Sequence, residues 1–389
     1  MGVKLAVIAG EVSGDLLGAD LIRALRPRLG TQLDLVGVGG EAMQAEGLAS
    51  LFDYSELSIM GIAQVLKRLP QLLLRIRQTA RAIIAAKPDL LVLIDSPDFT
   101  HRVANRVRRA LPDLPIVDYV CPSVWAWKPE RATKMLDYVD HVLAILPFEP
   151  AVMAELGGPP TTYVGHRLVA DPDVASVQAR QAARGAAPGP DRATCLLLPG
   201  SRGTEVERLM PVFGEAMQEL RARHPEMRFL LPAVPRQEAR IRALVARWPE
   251  RPEIRVGPVG KWAAFAEADV AVAASGTVIL ELALCRIPTV STYKSDLLIR
   301  LMHSRITAWT AALPNLIADY SVVPEYLNEA IRPGGLTRWV ERLTADTPER
   351  AAMLAGFDLV RRTMVTEIPP GERAADVVLD VLGRTRFAG

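Results

Sequence analysis

Leu5-Ala6-Val7-Ile8-Ala9-Gly10-Glu11-Val12-Ser13-Gly14-Asp15 decides the fold. An apolar run ends in a turn of glycines and small polar residues, and a helical pattern follows. Mid-chain, Cys195-Leu196-Leu197-Leu198-Pro199-Gly200-Ser201-Arg202-Gly203 repeats the same order of events. Glycine lets the backbone turn sharply and approach a ligand, and the helix beyond offers free N–H groups and the positive end of its dipole. One such turn is common in α/β domains. Two, each opening a βαβ series, predict two Rossmann-like parallel-sheet halves facing an interdomain cleft, suited to two substrates. The first-turn glycines, Gly10, Gly14 and Gly18, do not make a GxGxxG, so no nicotinamide fingerprint is present.

Outward from these turns, apolar strands alternate with helices. Strands are expected at Leu5–Ala9, Leu33–Gly37, Leu90–Asp95, Ile116–Val120, Val142–Leu146 and Thr162–Val164, with helices around Leu16–Leu25, Leu66–Ala86, His101–Leu111 and Arg131–Val139. The second series has strands at Cys195–Leu198, Arg228–Leu231, Ile254–Val256, Val270–Ala274 and Thr289–Thr292. Residues 167–192, rich in Ala, Pro, Gly and Arg, read as a linker between domains at 1–166 and 193–366, and 367–389 as a helical tail. Ligands on parallel sheets bind beyond the carboxyl ends of the strands. Glu11, Ser13, Asp15, Gly39, Gly40, Asp98 and Ser123 all follow strand ends and are expected on one rim.

The chain has 389 residues, half of them apolar and 23% charged, and a net charge of +2. That is the balance of a soluble globular protein of two or three domains. Between Leu57 and Pro112, ten Lys or Arg face three Asp, a local excess of +7. Without interleaved aromatics or a binding motif this does not point to nucleic acid; an anionic lipid surface or anionic substrate fits better. Leu57 to Lys87 joins apolar residues to Lys67, Arg68, Arg75, Arg77 and Arg81, as a monotopic membrane contact requires, or as a core helix with a solvated basic face would. No uncharged apolar stretch is long enough to span a bilayer, and no signal-peptide layout opens the chain. The three cysteines lack CxxC spacing and suit a reducing cytosol, and the five histidines show no metal-ligand spacing.

Four groups of residues suit chemistry. Ser275-Gly276-Thr277 ends a strand where a helix starts, and its free amides suit a diphosphate; Glu281, one turn on, could accept from a ribose diol or simply face solvent. Arg202, after Gly200 and Ser201, has the donor fork that matches phosphate, or is one surface arginine of many. Glu205 and Glu207 suit the dipole of the following helix. Asp98, past a proline in a loop, could be a general base or a turn residue, whereas Asp95 could cap or bridge structure. Two of the six tryptophans, Trp125 and Trp127, share the loop Tyr119–Lys128, where they could cover a sugar face, meet lipid or pack in the core. Asp171-Pro172-Asp173 has the DxD spacing of metal-dependent sugar transferases but reads as a turn.

Together these segments resemble the lipid-A-disaccharide synthase family of bacterial glycosyltransferases. The matching residues are Ala9–Ala19 (AGEVSGDLLGA), Gly37–Glu41, Met60-Gly61-Ile62, Asp95–Phe99, Tyr119–Trp127, Leu146–Glu149, Val164–His166, Leu197–Arg202, Ala274–Glu281 and Leu313–Leu316. They run in order over nearly the whole chain. The resemblance implies a GT-B fold, with the UDP of UDP-2,3-diacylglucosamine held in the C-terminal half by Gly200, Ser201, Arg202, Ser275, Gly276, Thr277, Glu281 and Asn315. It implies that the N-terminal half holds 2,3-diacylglucosamine 1-phosphate through Ser13, Gly14, Gly39, Gly40, Met60, Ser123, Trp125 and Trp127. The implied reaction inverts the anomeric centre without metal or cofactor, with Asp98 as base and Glu11 and Asp15 as rivals. It also implies a cytoplasmic enzyme bound peripherally to the inner face of the membrane, and a homo-oligomer is compatible with it. Two competing readings stay open: a UDP-N-acetylglucosamine 2-epimerase and a non-catalytic nucleotide-sugar or lipid-binding protein.

Overall fold

A computed structural model of the chain describes residues 2–30, 33–57, 62–294 and 307–387. The chain divides into two compact units, one formed by Met1–Arg167 with Thr366–Gly389 and the other by Leu168–Val365.

The first unit is built on a six-stranded parallel sheet of β1 (Val3–Ala9), β2 (Leu33–Val38), β3 (Leu90–Ile94), β4 (Ile116–Tyr119), β5 (His141–Ala144) and β6 (Thr161–Tyr163), in the order β2-β1-β3-β4-β5-β6. β3 shows why an unbroken apolar run makes a central strand. All five residues are fully buried, with Leu90, Val92 and Ile94 in the core on one face and Leu91 and Leu93 in the core on the other. A parallel strand covered on both sides needs apolar residues at every position. Helix Val12–Leu29 contributes to the first of these cores and helix Pro97–Ala110 to the second. Gly14 lets the first helix lie close on the sheet, since a Cβ there would stand 3.2 Å from the Ile94 carbonyl oxygen.

The second unit has β7 (Thr194–Leu198), β8 (Arg228–Ala233), β9 (Glu253–Val256), β10 (Val270–Ala274), β11 (Thr289–Tyr293) and β12 (Glu325–Leu327), all parallel, in the order β12-β11-β10-β7-β8-β9. Counted from β7, this is the 3-2-1-4-5-6 order of dinucleotide-binding sheets, which changes direction between β7 and β10. In the first unit the direction changes between β1 and β3. Strand order thus puts one crevice in each unit beside the turns Gly10–Ser13 and Gly200–Arg202.

Two expectations need correction. Residues 167–192 are not a bare linker: Pro172–Ala183 is a helix of the second unit, with Val174 and Val177 buried and Gln181 and Arg184 donating to the Ala268 carbonyl at 2.8 and 2.7 Å. An Ala- and Arg-rich stretch hides such a helix because two valines suffice to dock it. β12 escaped notice because it is three residues long, only partly buried and at the sheet edge. The tail folds back on the first unit, where helix Pro370–Phe387 packs against helix Val12–Leu29.

Candidate functional site

A cavity of about 490 Å³ lies at the carboxyl edge of the second sheet, beyond β7, β8, β9 and β10. That volume lies within the range of small-molecule sites. Seven of the eight residues expected to hold a nucleotide line it: Gly200, Ser201, Arg202, Ser275, Gly276, Thr277 and Glu281. Gly200 has φ +104, and a Cβ there would strike the Glu205 carboxylate at 2.5 Å, so this turn requires glycine. Helix Thr277–Leu284 begins in the cavity wall, which Gly276, Thr277 and Val278 line, so the start of a helix, where backbone amides lack intrahelical acceptors, borders the cavity. Arg202 Nη1 lies 3.0 Å from Glu205 Oε1, and Glu205 Oε2 accepts from the Arg202 amide at 3.2 Å. Glu205 therefore caps helix Gly203–Arg223, in keeping with its expected role there.

The eighth residue is elsewhere. Asn315 is 1% exposed; its Oδ1 accepts from the amides of Val322 and Val323 at 2.9 and 2.8 Å, and its Nδ2 donates to the Val323 carbonyl and Thr310 Oγ1. With its amide occupied in this way, it braces its own loop and does not line the cavity. Conversely, Lys261 lines the cavity and was missed from sequence. Its Nζ lies 3.0 Å from both Glu281 oxygens and 4.0 Å over the Trp262 ring. The available signal was Gly257-Pro258-Val259-Gly260-Lys261, a glycine- and proline-marked helix start directly after β9.

In the first unit the expected rim residues follow the carboxyl ends of β1 to β4. Glu11 is the N-cap of helix Val12–Leu29, and Ser13 Oγ donates to Asp95 Oδ2 at 3.3 Å. Asp15 is 4% exposed and accepts three backbone N–H groups, from Gly40 at 2.7 Å, Ala42 at 2.9 Å and Met43 at 3.1 Å. It thereby anchors the Gly39–Gly40 turn and the short helix after it, the work of a structural acceptor rather than of a base. A Cβ on Gly39 or Gly40 would collide with Met43 or Tyr54. Asp98 stands in the first turn of helix Pro97–Ala110 with its side chain 87% exposed, 3.4 Å from Arg131 Nη2. Beneath it, His101 Nε2 meets Asp118 at 3.0 Å and His101 Nδ1 meets the Tyr138 hydroxyl at 3.2 Å, a buried set tying Asp98's helix to β4. Met60 lies outside the described residues.

The backbone is strained at this rim. Asp95 (φ +56), Ser96 (φ +48) and Val120 (φ +93) are left-handed non-glycine residues at the ends of β3 and β4. Each such residue costs about 1–3 kcal/mol, and they cluster at functional sites. The strain turns the chain so that Asp95 Oδ1 accepts from the Ser96 amide at 2.7 Å. That leaves Asp98, not Asp95, on the open side.

Ser123 is exposed, and its carbonyl accepts from the amides of Ala126 and Trp127, closing the loop that carries both tryptophans. Lys128 Nζ lies 5.5 Å over the Trp127 ring. Trp125 packs edge-on against Phe148 and donates its indole N–H to Glu149 Oε1 at 3.3 Å. Glu149 also accepts from the amides of Ile145 and Leu146, yet its burial raises the carboxyl pKa from 4.5 to about 7. In the unfolded chain this proton leaves near pH 4.5, in the folded one near 7. Stability from this group is therefore full below pH 4.5 and is lost as pH rises through 7, about 3 kcal/mol in all. Urea midpoints at pH 4.5 and 8 are expected to separate less in Glu149→Gln than in the wild type; equal separations would refute this titration.

Among the described residues, no group of three or more His, Cys, Asp or Glu could hold a metal ion. The DxD pair is a helix cap, Asp171 Oδ1 accepting from the Asp173 amide.

Two parallel sheets in these orders, each with a switch-point crevice, define a GT-B protein. Solved structures agree: the S. aureus MnaA–UDP co-structure superposes with a TM-score of 0.61 at 13% identity, covering 98% of this chain and 97% of that one. The glycotransferase of kitacinnamycin gives 0.60 at 17% identity, covering 98% and 99%. The profile of the family described as lipid-A-disaccharide synthetase matches residues 5–339. The lipid-A-disaccharide synthase of Nitrobacter winogradskyi is 47% identical over 98% of this chain and 96% of its own length, and that of Rhodopseudomonas palustris (strain HaA2) 48% identical over 97% and 96%. The chain belongs to the lipid-A-disaccharide synthase family and is a glycosyltransferase.

Proposed function

We propose that this chain transfers the sugar of UDP-2,3-diacylglucosamine to the 6-hydroxyl of 2,3-diacylglucosamine 1-phosphate, giving the β-1′,6-linked disaccharide phosphate and UDP. The near-full-length identity to lipid-A-disaccharide synthases carries this reading. The fold alone does not, because the UDP-GlcNAc 2-epimerase of Methanocaldococcus jannaschii shares it with a TM-score of 0.59 at 13% identity.

In this reading the second-unit cavity takes UDP. Arg202 leaves Glu205 for the diphosphate, the start of helix Thr277–Leu284 adds its amides, and Glu281 meets the ribose. Asp98 takes the proton of the acceptor hydroxyl as its oxygen attacks the anomeric carbon. The bond from that carbon to the diphosphate oxygen breaks, and UDP leaves with the bonding pair. One displacement inverts the centre and needs one base. Asp98's exposure on the rim, with Asp15 committed to three amides, supports the choice; Glu11 is the rival.

A membrane contact suits lipid substrates. No helix among the described residues is long and apolar enough to cross a membrane. On helix Ile62–Ala86, Leu74 is 62% exposed and shares a face with exposed Arg77 and Arg81, a pattern suited to the surface of an anionic bilayer. Arg75 does not belong to that face: it binds Glu56 at 2.7 Å and stacks on Phe52. Arg108 is likewise held by Pro112, Leu114 and Asp140.

The test is to incubate the purified chain with both lipids in detergent and EDTA, with product read by mass spectrometry. Disaccharide phosphate with an equal amount of UDP is expected. An intact donor in the presence of bound UDP would overturn the reading.

A further inference from the structure

Trp125, on the loop that follows β4, is tied to the turn beyond β5 by a buried carboxylate. Glu149 is 2% exposed and opens the short helix Glu149–Glu155. Its Oε2 accepts from the amides of Ile145 and Leu146 at 3.1 and 2.9 Å, which hold it to the end of β5. Its Oε1 accepts the Trp125 indole N–H at 3.3 Å, while Phe148 packs edge-on against the same ring. β4 and β5 are neighbours in the sheet, so one carboxylate bridges the turns at their carboxyl ends.

The three donors favour a carboxylate, whereas burial favours the neutral acid. The balance leaves the pKa at about 7, where a small change in pH changes the charge. Cys121 beyond β4 and Tyr163 on β6 face this group; burial pushes the thiol up and the phenol up to about 12, so both stay neutral there. Asp118 on β4 is engaged by His101, and Arg373 donates to the Tyr163 carbonyl. A proton entering the site displaces one bond of 3.3 Å on Oε1, against two shorter bonds on Oε2. It therefore settles on Oε1, where an O–H meets the indole N–H donor to donor. The amides of Ile145 and Leu146 keep their acceptor, and the Trp125 N–H loses this one.

We propose that Glu149 is a positioning residue for the lipid acceptor: its ionised carboxylate fastens Trp125 and the loop Tyr119–Lys128, and a proton on it frees them, so that acceptor affinity rises with pH. The proposal rests on the reading that this loop meets the acceptor. The loop is freed below the carboxyl pKa and fastened above it.

Steady-state kinetics of the full chain at about pH 6 and about pH 8 test this, read as the acceptor KM of Glu149→Gln divided by that of the wild type. The acceptor phosphate itself ionises at about pH 6, but it does so for both proteins and cancels in the ratio. The glutamine oxygen can serve the two amides, and its NH2 group then faces Trp125 as the protonated acid does. The ratio is expected to be about fivefold at the higher pH, as for an ordinary hydrogen bond, and below about twofold at the lower, where the wild type is itself mostly protonated. Donor KM is expected to stay unchanged. With isotopically labelled tryptophan, the Trp125 indole resonance, assigned by its loss in Trp125→Phe, is expected to shift between these pH values in the wild type and to stay fixed in Glu149→Gln. A ratio equal at both pH values, or an indole resonance that does not titrate, overturns the proposal and leaves the loop's acceptor role standing. If Trp125→Phe leaves the acceptor KM unchanged at the higher pH, the acceptor role of the loop fails and the proposal with it. Should Glu149→Gln not fold, Trp125→Phe, which removes the N–H, is read by the same ratio, and an increase equal at both pH values overturns the proposal.

Discussion

Replacing Asp98 with Asn is expected to lower disaccharide formation by a factor of about 10²–10⁴, the usual contribution of a general base, while leaving UDP affinity unchanged. The change keeps the shape of the side chain and removes its ability to take a proton. Nucleotide binding should be spared because Asp98 belongs to the first unit, whereas the described residues that line the cavity suited to UDP all belong to the second. Arg131, 3.4 Å from the carboxylate, loses an exposed ion pair, which contributes little to stability. Single-turnover assays with saturating donor provide the measurement. Turnover within a few-fold of the wild type would remove Asp98 as base, and Glu11→Gln would be the next variant to assay.

Asp15→Ala is expected to act on the fold instead. The three amides that converge on its carboxylate would be left in a site that is 4% exposed, without an acceptor. Each stranded donor costs about 1–3 kcal/mol, so a loss of at least about 3 kcal/mol is expected. Asp15→Asn retains an acceptor oxygen and should lie between that variant and the wild type. Urea unfolding followed by circular dichroism reads this directly. A variant as stable as the wild type but devoid of turnover would restore Asp15 to the chemistry.

These cases show what a sequence can and cannot disclose. Gly200, Ser201, Ser275 and Thr277 were legible because strand, turn and helix signals are local, and the sheet topology then brings their turns together. Asp15 was legible as a rim residue, but its work depends on amides at positions 40–43, which no local pattern couples to it. Asn315 stood in a recognisable segment, yet its partners at 310, 322 and 323 make it a brace. Lys261 was hidden by chemistry of the opposite kind, as one cation in a chain with 46 Lys and Arg residues, distinguished by the carboxylate it faces and the Trp262 ring beneath it. The helix within 167–192 was obscured because composition speaks to flexibility and says little about two valines finding a groove.

The return of helix Pro370–Phe387 to the first unit sets a timetable for synthesis. Its Ala374, Ala375, Val378, Val381 and Leu382 belong to the same core as β1 and helix Val12–Leu29. A ribosome finishes the first unit's sheet at residue 163 and every element of the second unit by residue 364, while this cover is still untranslated. Nascent domains ordinarily mature from the N-terminus onward. Here the order is inverted: the later-made unit can close first, and the earlier-made one waits for its last helix with an apolar flank uncovered.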